Sequence, residues 1–438
     1  MVLRAGASES RITPPIGVSM AGYGARKGPA VRVHDDLHVG ALVLDDGVKK
    51  VAILAADIIA VEKELGSSVR KSISGRKGMD VNDILVCASH THSGPVTGGD
   101  KVDRGWLNSL QEKMVDTALQ AFEKRVEAKL GMGQGKVEGI GANRRDPKRG
   151  IADKSVGVIR VDNFQGRPIA VLMNYTCHAT VLGYRNRLIS ADYPGYAKGM
   201  VKEALGNETV VMFANGACGD INPGGYSADI SAIGGFIPGR TFRRAKRLGA
   251  ILGKEVLRVV KEIETHSLVN LSAVTERVHL PLREIPKPLE AEEQVKEKEG
   301  LVRRLESQGA SDKEITEAKI AAVYAKIELG HARKAALLPK REIEAELQAL
   351  ALDDTLLIGL PGEIFVQIGL DIKRCSRFNH TFVIGYANDD IGYVPTKKAL
   401  RKGGYEVTAS EFGLEGIKKL EEAALNLVKR MNASRGLG

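Results

Sequence analysis

Short apolar runs bounded by turn residues alternate along the chain with longer stretches of helical period. Val51–Ala56, Ile84–Val86, Val156–Val161, Ile169–Tyr175, Val210–Ala214, Thr355–Leu360 and Thr381–Gly385 are continuous apolar or β-branched runs, which predicts buried strands. Gly40–Leu44 is a further strand, ended by an Asp45-Asp46-Gly47 turn. Ile343, Ala345, Leu347, Ala349 and Ala351 alternate with Glu342, Glu344, Glu346 and Gln348, the period of a half-exposed strand. Helical periodicity covers Trp106 to Leu130, Arg243 to Glu264 and Glu411 to Met431. The Asp and Pro of Asp192-Tyr193-Pro194 suit the first turn of another helix, through about Leu205. Outside Gly40–Leu44, residues 1–50 are rich in Gly and Pro and read as a long loop, of the kind that is often functional. From about 289 to 340 the chain becomes dense in Glu and Lys, with a capping box at Ser311-Asp312-Lys313-Glu314. This stretch predicts a charged helical hairpin inserted on the surface as a solvated excursion. The pattern is that of an α/β fold, a mixed β-sheet core flanked by helices. It forms a single catalytic domain over 1–438 with the insertion at about 289–340, and no internal repeat.

Composition narrows the classes. At 438 residues the chain can bury a sizeable core, and an apolar share of 43% excludes disorder. No apolar run is long enough to span a bilayer, and Met1-Val2-Leu3-Arg4-Ala5-Gly6 lacks the apolar core of a signal peptide. A cytoplasmic protein without stable membrane insertion is expected. Four cysteines in so long a chain make no disulfide framework. Cys87, Cys177 and Cys218 lie near candidate site segments and read as reduced, buried thiols. The net charge of +10 would suit nucleic acid, but Lys and Arg are scattered among Glu along helices with no aromatic-basic platform. No nucleic-acid partner is expected.

The chemistry sits at strand ends. Ile84-Leu85-Val86 runs into Cys87-Ala88-Ser89-His90-Thr91-His92-Ser93-Gly94-Pro95, and alternation puts His90 and His92 on one face. Two imidazoles there suit a divalent metal, zinc first, or form a hydrogen-bonded surface pair. Other strands end at His178, at Pro361-Gly362-Glu363 and at the Asn388–Tyr393 turn. Ligands gathered from distant strand ends typify catalytic rather than structural metal sites. Two histidines and a carboxylate leave room for a water whose pKa zinc lowers toward 7, and such a water attacks a carbonyl carbon. Arg144 or His92 is then placed to stabilise the oxyanion. The small-residue loop Asn215–Gly225 lets backbone approach a ligand, or is a tight turn without one.

Ser89-His90-Thr91-His92-Ser93-Gly94-Pro95 resembles the Thr-His-Thr-His-Ser-Gly-Pro loop of neutral ceramidases. The resemblance continues through Thr13-Pro14, Gly22-Tyr23, Asn143-Arg144, His178, Ser190-Ala191-Asp192, Gly219-Asp220, Pro361-Gly362-Glu363 and the Asn388–Val394 turn, in the same order. It touches most of the chain except the charged insert. It implies the fold of the neutral ceramidase catalytic domain and a zinc-dependent hydrolase of an amide bond. On its motifs His90, His178 and Glu363 are metal ligands, joined by Tyr393, an unusual ligand. His92 and Arg144 match residues that contact the substrate carbonyl.

Three departures shape the functional expectation. Where the family has Gly-Asp-Val-Ser-Pro-Asn, this chain has Gly219-Asp220-Ile221-Asn222-Pro223-Gly224. Asn222 cannot replace the serine proposed as nucleophile, which leaves a metal-activated water. Asp389-Asp390 stands where ceramidases have an apolar residue and a tyrosine, which suggests a more polar or cationic substrate or a second metal. The chain also ends soon after the catalytic region, without the family's C-terminal β-domain, and no exposed apolar entrance loop is evident. The expected activity is therefore zinc-dependent hydrolysis of a small or polar amide. His92, Arg144, Asp220 and Asn222 are its catalytic group, and Asp192, Asp389 and Asp390 lie on the substrate side. The alternatives are a true ceramidase releasing fatty acid, and a non-catalytic metal- or ligand-binding protein on the same scaffold.

Overall fold

The strands divide their apolar side chains between two faces, and both faces are covered. In a computed structural model, which describes residues 2–436, eight strands form one large sheet. Their order is Val210–Asn215, Pro168–Tyr175, Ser155–Asn163, Val126–Lys136, Arg4–Arg11, His38–Asp45, Lys50–Ala56 and Ile84–Ala88. The outermost pair at each edge is parallel and the inner pairs are antiparallel. A second sheet orders Leu271–Pro281, Glu342–Leu352, Thr355–Gly359 and His380–Ile384.

Alternation then builds four layers. Val39, Ala41 and Val43 face the helices Lys63–Lys77, Arg104–Glu123, Asp192–Leu205 and Phe242–Glu262. Leu42 and Leu44 face the opposite way and pack with Leu350, Leu352, Leu357, Phe382 and Ile384 of the second sheet. Ala349, Leu356, Ile358 and Val383 point outward again, onto the helices Val366–Cys375 and Leu414–Ser434. The sheets approach closely. A Cβ at Gly157 would lie 2.4 Å from the Phe382 ring, so this strand position tolerates only glycine. The large sheet also curls. Asn215, at the end of one edge strand, donates through Nδ2 to the carbonyl of Ser89, just past the other edge strand, at 3.1 Å. The curl brings the His90 and His178 loops together.

Several elements differ from expectation. Arg4–Arg11 is a central strand rather than loop; its inward residues are Ala5 and Ala7, too small to give an apolar signal. The helix beginning near Trp106 stops at Glu123, and Val126–Lys136 is a strand whose glycines fit beneath the helix Phe242–Glu262. Glu342–Leu352 is half-exposed only at its start. From Leu347 onward both faces are buried, because the second sheet is itself an inner layer.

The hairpin consists of Pro288–Ser307 and Asp312–Leu337, inserted between two adjacent antiparallel strands of the second sheet. Ser311 and Glu314 cap the second helix reciprocally, at 3.3 and 2.9 Å. The expected excursion into solvent does not occur. Tyr324 donates to Asp229 Oδ1 at 2.5 Å, Arg283 to Glu328 at 2.6 Å and Lys334 to Glu411 at 2.6 Å, which tie the hairpin across the body. Among the described residues no helix is long and apolar enough to cross a membrane.

Candidate active site

His90 follows the fully buried strand Ile84–Ala88. It takes a left-handed backbone conformation, φ 60°, which is costly for a residue with a β-carbon. The next residue, Thr91, bridges to Ala179. The rings of His90 and His92 therefore meet, with centroids 4.8 Å apart, through a strained turn rather than through strand alternation. The same bridge places His178 beside them, its ring 4.9 Å from that of His90.

Backbone carbonyls fix the tautomers. Nδ1 of His90 lies 2.7 Å from the Ile59 carbonyl, and Nδ1 of His178 lies 2.8 and 2.9 Å from those of Cys218 and Ile221. A carbonyl only accepts, so both Nδ1 atoms carry the proton and both Nε2 atoms are bare. Burial holds both rings neutral, pushing each down to about 3. The bare Nε2 of His178 nevertheless lies 3.0 Å from Glu363 Oε2, and that of His90 3.7 Å from the same oxygen. Lone pairs so close repel unless a proton or a cation lies between them. Tetrahedral zinc with bonds of about 2.1 Å separates neighbouring ligand atoms by about 3.4 Å, which the observed spacings bracket. A ring N–H held by a carbonyl is also the usual support for a metal-bound histidine. The donor set fits a divalent metal.

Glu363 and Tyr393 arrive together because the two-residue strands Glu363–Ile364 and Tyr393–Val394 pair in parallel, Glu363 opposite Tyr393. The Tyr393 hydroxyl bonds the Glu363 carboxylate and accepts from Arg144 Nη2 at 2.9 Å. Arg144 also donates to the Gly219 carbonyl at 2.8 Å and, through Nε, to Glu406 at 2.7 Å. Glu406 receives Arg145 on its other oxygen at 2.5 Å. Burial alone would raise the Glu406 carboxyl, but the two guanidiniums hold it below its ordinary range. Glu406 escaped the sequence reading: it sits in the short helix Tyr405–Thr408, with no motif around it.

His92 lies on the third side. Its Nε2 is 3.0 Å from that of His90, and its Nδ1 is buried without a partner. One ring nitrogen from each of His90, His92 and His178 lies within 4.8 Å of the others, a group that could hold an ion. Burial, then His90 and His178, push the His92 imidazole far toward its neutral form. Gly22 packs against this ring. A Cβ there would lie 2.3 Å from it, and φ at Gly22 is +89°, so the Gly22-Tyr23 loop approaches because it has no side chain.

The other predicted residues sit elsewhere. Asp220 supports the site without facing the histidines: its carboxylate accepts from Asn143 Nδ2 and the Val366 amide, each at 2.8 Å. Asn222 is fully buried and donates to the Tyr226 carbonyl at 2.9 Å, while its Oδ1 is unpartnered. Asp192 accepts the amides of Val181, Leu182 and Tyr193, shaping the turn after His178. Asp389 and Asp390 bond within their own turn. Burial, and for Asp390 also Glu363, push them up to about 6 and about 8. Neither these two, Asp192 nor Asn222 borders the cleft. Cys87, Cys177 and Cys218 are buried free thiols.

A cleft of about 630 Å³ opens above His92, Arg144 and Tyr393. Its walls are mainly small or apolar, from Ala25, Ala228, Ala232 and Ile233 on one side and the hairpin on the other. Three residues past Ile233 along the chain, Phe236 is 80% exposed.

With this geometry established, relatives are informative. The chain is 23% identical over 254 residues to the neutral ceramidase of Drosophila pseudoobscura pseudoobscura, covering 50% of this chain and 36% of that protein. It is 22% identical over 241 residues to the neutral ceramidase of Mycobacterium tuberculosis, covering 47% and 37%. The matches thus span little more than a third of these curated relatives. The fold superposes on a ceramidase complexed with C2 (TM-score 0.75, 16% identity, 98% of this chain and 76% of that one). It superposes equally on the neutral ceramidase of Pseudomonas aeruginosa (TM-score 0.74, 17% identity, 98% and 75%). The mixed α/β architecture is therefore that of the neutral ceramidases. The family described as neutral/alkaline non-lysosomal ceramidase, N-terminal, matches residues 3–232, over half of the chain, including the loops of His90, Arg144 and His178. By that match the chain belongs to the neutral/alkaline non-lysosomal ceramidase family.

Proposed function

We infer that the protein hydrolyses a linear amide bond in a substrate with an apolar segment, using one zinc ion held by His90, His178, Glu363 and Tyr393. The observation that carries this reading is the convergence of two bare Nε2 atoms on one carboxylate oxygen, at 3.0 and 3.7 Å. Zinc, when bound, supplies Lewis acidity and brings a water's pKa toward 7. The protein supplies the rest. His92, held neutral and lining the cleft, accepts a proton from the water and returns it to the leaving nitrogen. Arg144 stabilises negative charge developing on the carbonyl oxygen, and Glu406 and Gly219 fix its orientation. Asn222 offers no nucleophile, so water attacks directly. Asp220 and Asp192 hold the loops that carry these groups.

The apolar walls favour a hydrocarbon-bearing amide over a small polar one. They also support a second reading, hydrolysis of a ceramide, which the names of the relatives suggest. Release of fatty acid from ceramide in detergent, compared with release from short N-acyl amines, separates the two. Metal analysis tests the shared mechanism. Sub-stoichiometric zinc in the purified protein, together with undiminished amide hydrolysis by His178→Ala, would overturn it. The complete ligand set speaks against a non-catalytic relic.

A further inference from the structure

The hairpin Pro288–Ser307 and Asp312–Leu337 lies outside the residues matched by the family, yet it forms one whole wall of the cleft. The residues it presents are spaced for one helical face. Lys319, Ala322, Val323, Lys326 and Ile327 come from the second helix, and Glu299, Val302 and Arg303 from the first. The face is zoned. Val302, Ala322, Val323 and Ile327 form an apolar patch opposite Ala228 and Ile233, and the charged residues are basic in excess. Lys326 is satisfied by Glu299 at 2.8 Å and Lys319 by Glu306 at 2.8 Å. Arg303 is left over: its carboxylate neighbour is the already engaged Glu299, at 3.9 Å, and its side chain is 70% exposed. The facing wall offers no acid, because Asp229 is turned away and holds Tyr324.

We propose that this hairpin selects the substrate: the cleft takes an amide whose hydrocarbon segment lies along Ala322 and Val323 and whose far end carries an anionic group, a carboxylate or a phosphate, read by Arg303. The proposal rests on the amide-hydrolase reading for what happens at the floor of the cleft, but not for what the wall binds. It separates this chain from an enzyme whose substrate is uncharged at that end.

The test uses matched N-acyl amides of one chain length that end in a carboxylate, a phosphate or a methyl ester, with the full-length zinc-loaded protein. The anionic substrates are expected to show KM about fivefold lower than the ester, a size typical of a solvent-facing ion pair, with similar kcat. The advantage should shrink at 0.5 M salt, about a threefold rise over physiological ionic strength. In Arg303→Gln the ratio should fall to about one while the melting temperature stays at the wild-type value. Ala322→Trp should raise KM for all three and leave the ratio. Comparing carboxylate with phosphate assigns the anion. Calorimetric binding of a dicarboxylic acid against the monocarboxylic acid of equal length provides the second arm. If no amide is cleaved but the diacid binds more tightly through Arg303, the hairpin proposal stands and the reaction assigned above fails. If the ester is cleaved as well as the anions, or Arg303→Gln keeps the ratio, the proposal is overturned and that reaction stands.

Discussion

Replacing Glu406 by glutamine separates Arg144 from the carboxylate that orients it, and the structure sets the size of the effect. Glu406 is 2% exposed and Arg144 8% exposed, so neither charge is well solvated. Arg144 and Arg145 contact opposite oxygens of the carboxylate at 2.7 and 2.5 Å. At a charge separation of about 4 Å and an effective dielectric near 20, each pair is worth roughly 4 kcal/mol before desolvation. Removing one partner of a buried pair costs about 3–5 kcal/mol, because the remaining charge stays buried. Glutamine keeps the volume and one accepting oxygen, so we expect the lower end, a loss of about 3 kcal/mol in denaturant unfolding. The catalytic consequence is sharper. Arg144 loses its fixed direction, and loss of an oxyanion donor costs about 100-fold or more in kcat. Zinc should still bind, since Glu406 bonds Arg144 and Arg145 rather than any of the four assigned ligands, and Nδ1 of His90 and of His178 is held by Ile59, Cys218 and Ile221. Amide hydrolysis, zinc stoichiometry and unfolding are measured on one preparation. A folded Glu406→Gln protein with kcat within twofold of wild type, or one that has lost its zinc, would refute the assignment of Arg144 as an oriented oxyanion donor.

Other predictions address the metal, its protons and the loop over His92. Chelation should lower the unfolding temperature reversibly, since free zinc at 100 times Kd adds about 2.7 kcal/mol; a His178→Ala protein that keeps the zinc-dependent shift would remove His178 from the ligand set. In the metal-free protein His90 and His178 are both pushed down to about 3, whereas unfolded histidine titrates near about 6.5. Between these values the unfolded chain binds the extra protons. Stability is therefore full above about pH 6.5 and falls on acidification, by about 2 kcal/mol per histidine at pH 5. Denaturant titrations at pH 7, 6 and 5, against His90→Asn/His178→Asn, check this, and an identical pH slope in the two proteins would contradict it. Gly22→Ala should displace the His92 ring, lowering kcat at least tenfold while zinc binding persists; unchanged kcat would mean that the loop position is incidental.

Much of the centre was legible because its residues lie where apolar runs stop. The buried strand ahead of His90 and the one ahead of His178 announce themselves by composition, and polar residues at their ends are conspicuous. The elements that escaped have a common cause. Arg4–Arg11 uses alanines where a central strand usually carries larger groups, and Val126–Lys136 uses glycines so that a helix can lie on it. Both are strands whose neighbours supply the bulk, which no local window reveals. Glu406 and the hairpin's place against the cleft escaped for a different reason. Their roles depend on which surface they reach, and a Lys- and Glu-rich helix looks the same whether it faces water or roofs a cleft. The aspartates at 192, 389 and 390 show the converse: polar residues beside a site are often spent on the backbone that shapes it.

The four side chains assigned to the metal come from both inner layers: His90 and His178 leave the large sheet, whereas Glu363 and Tyr393 leave the smaller one. An ion bound there would clasp two slabs that otherwise adhere through apolar side chains and a few buried hydrogen bonds, such as Asn174 Nδ2 to the Val383 carbonyl at 2.9 Å. If these four side chains hold the ion, the full set is complete only once Tyr393 has emerged and the slabs have met. Capture of the ion would then report that assembly has succeeded.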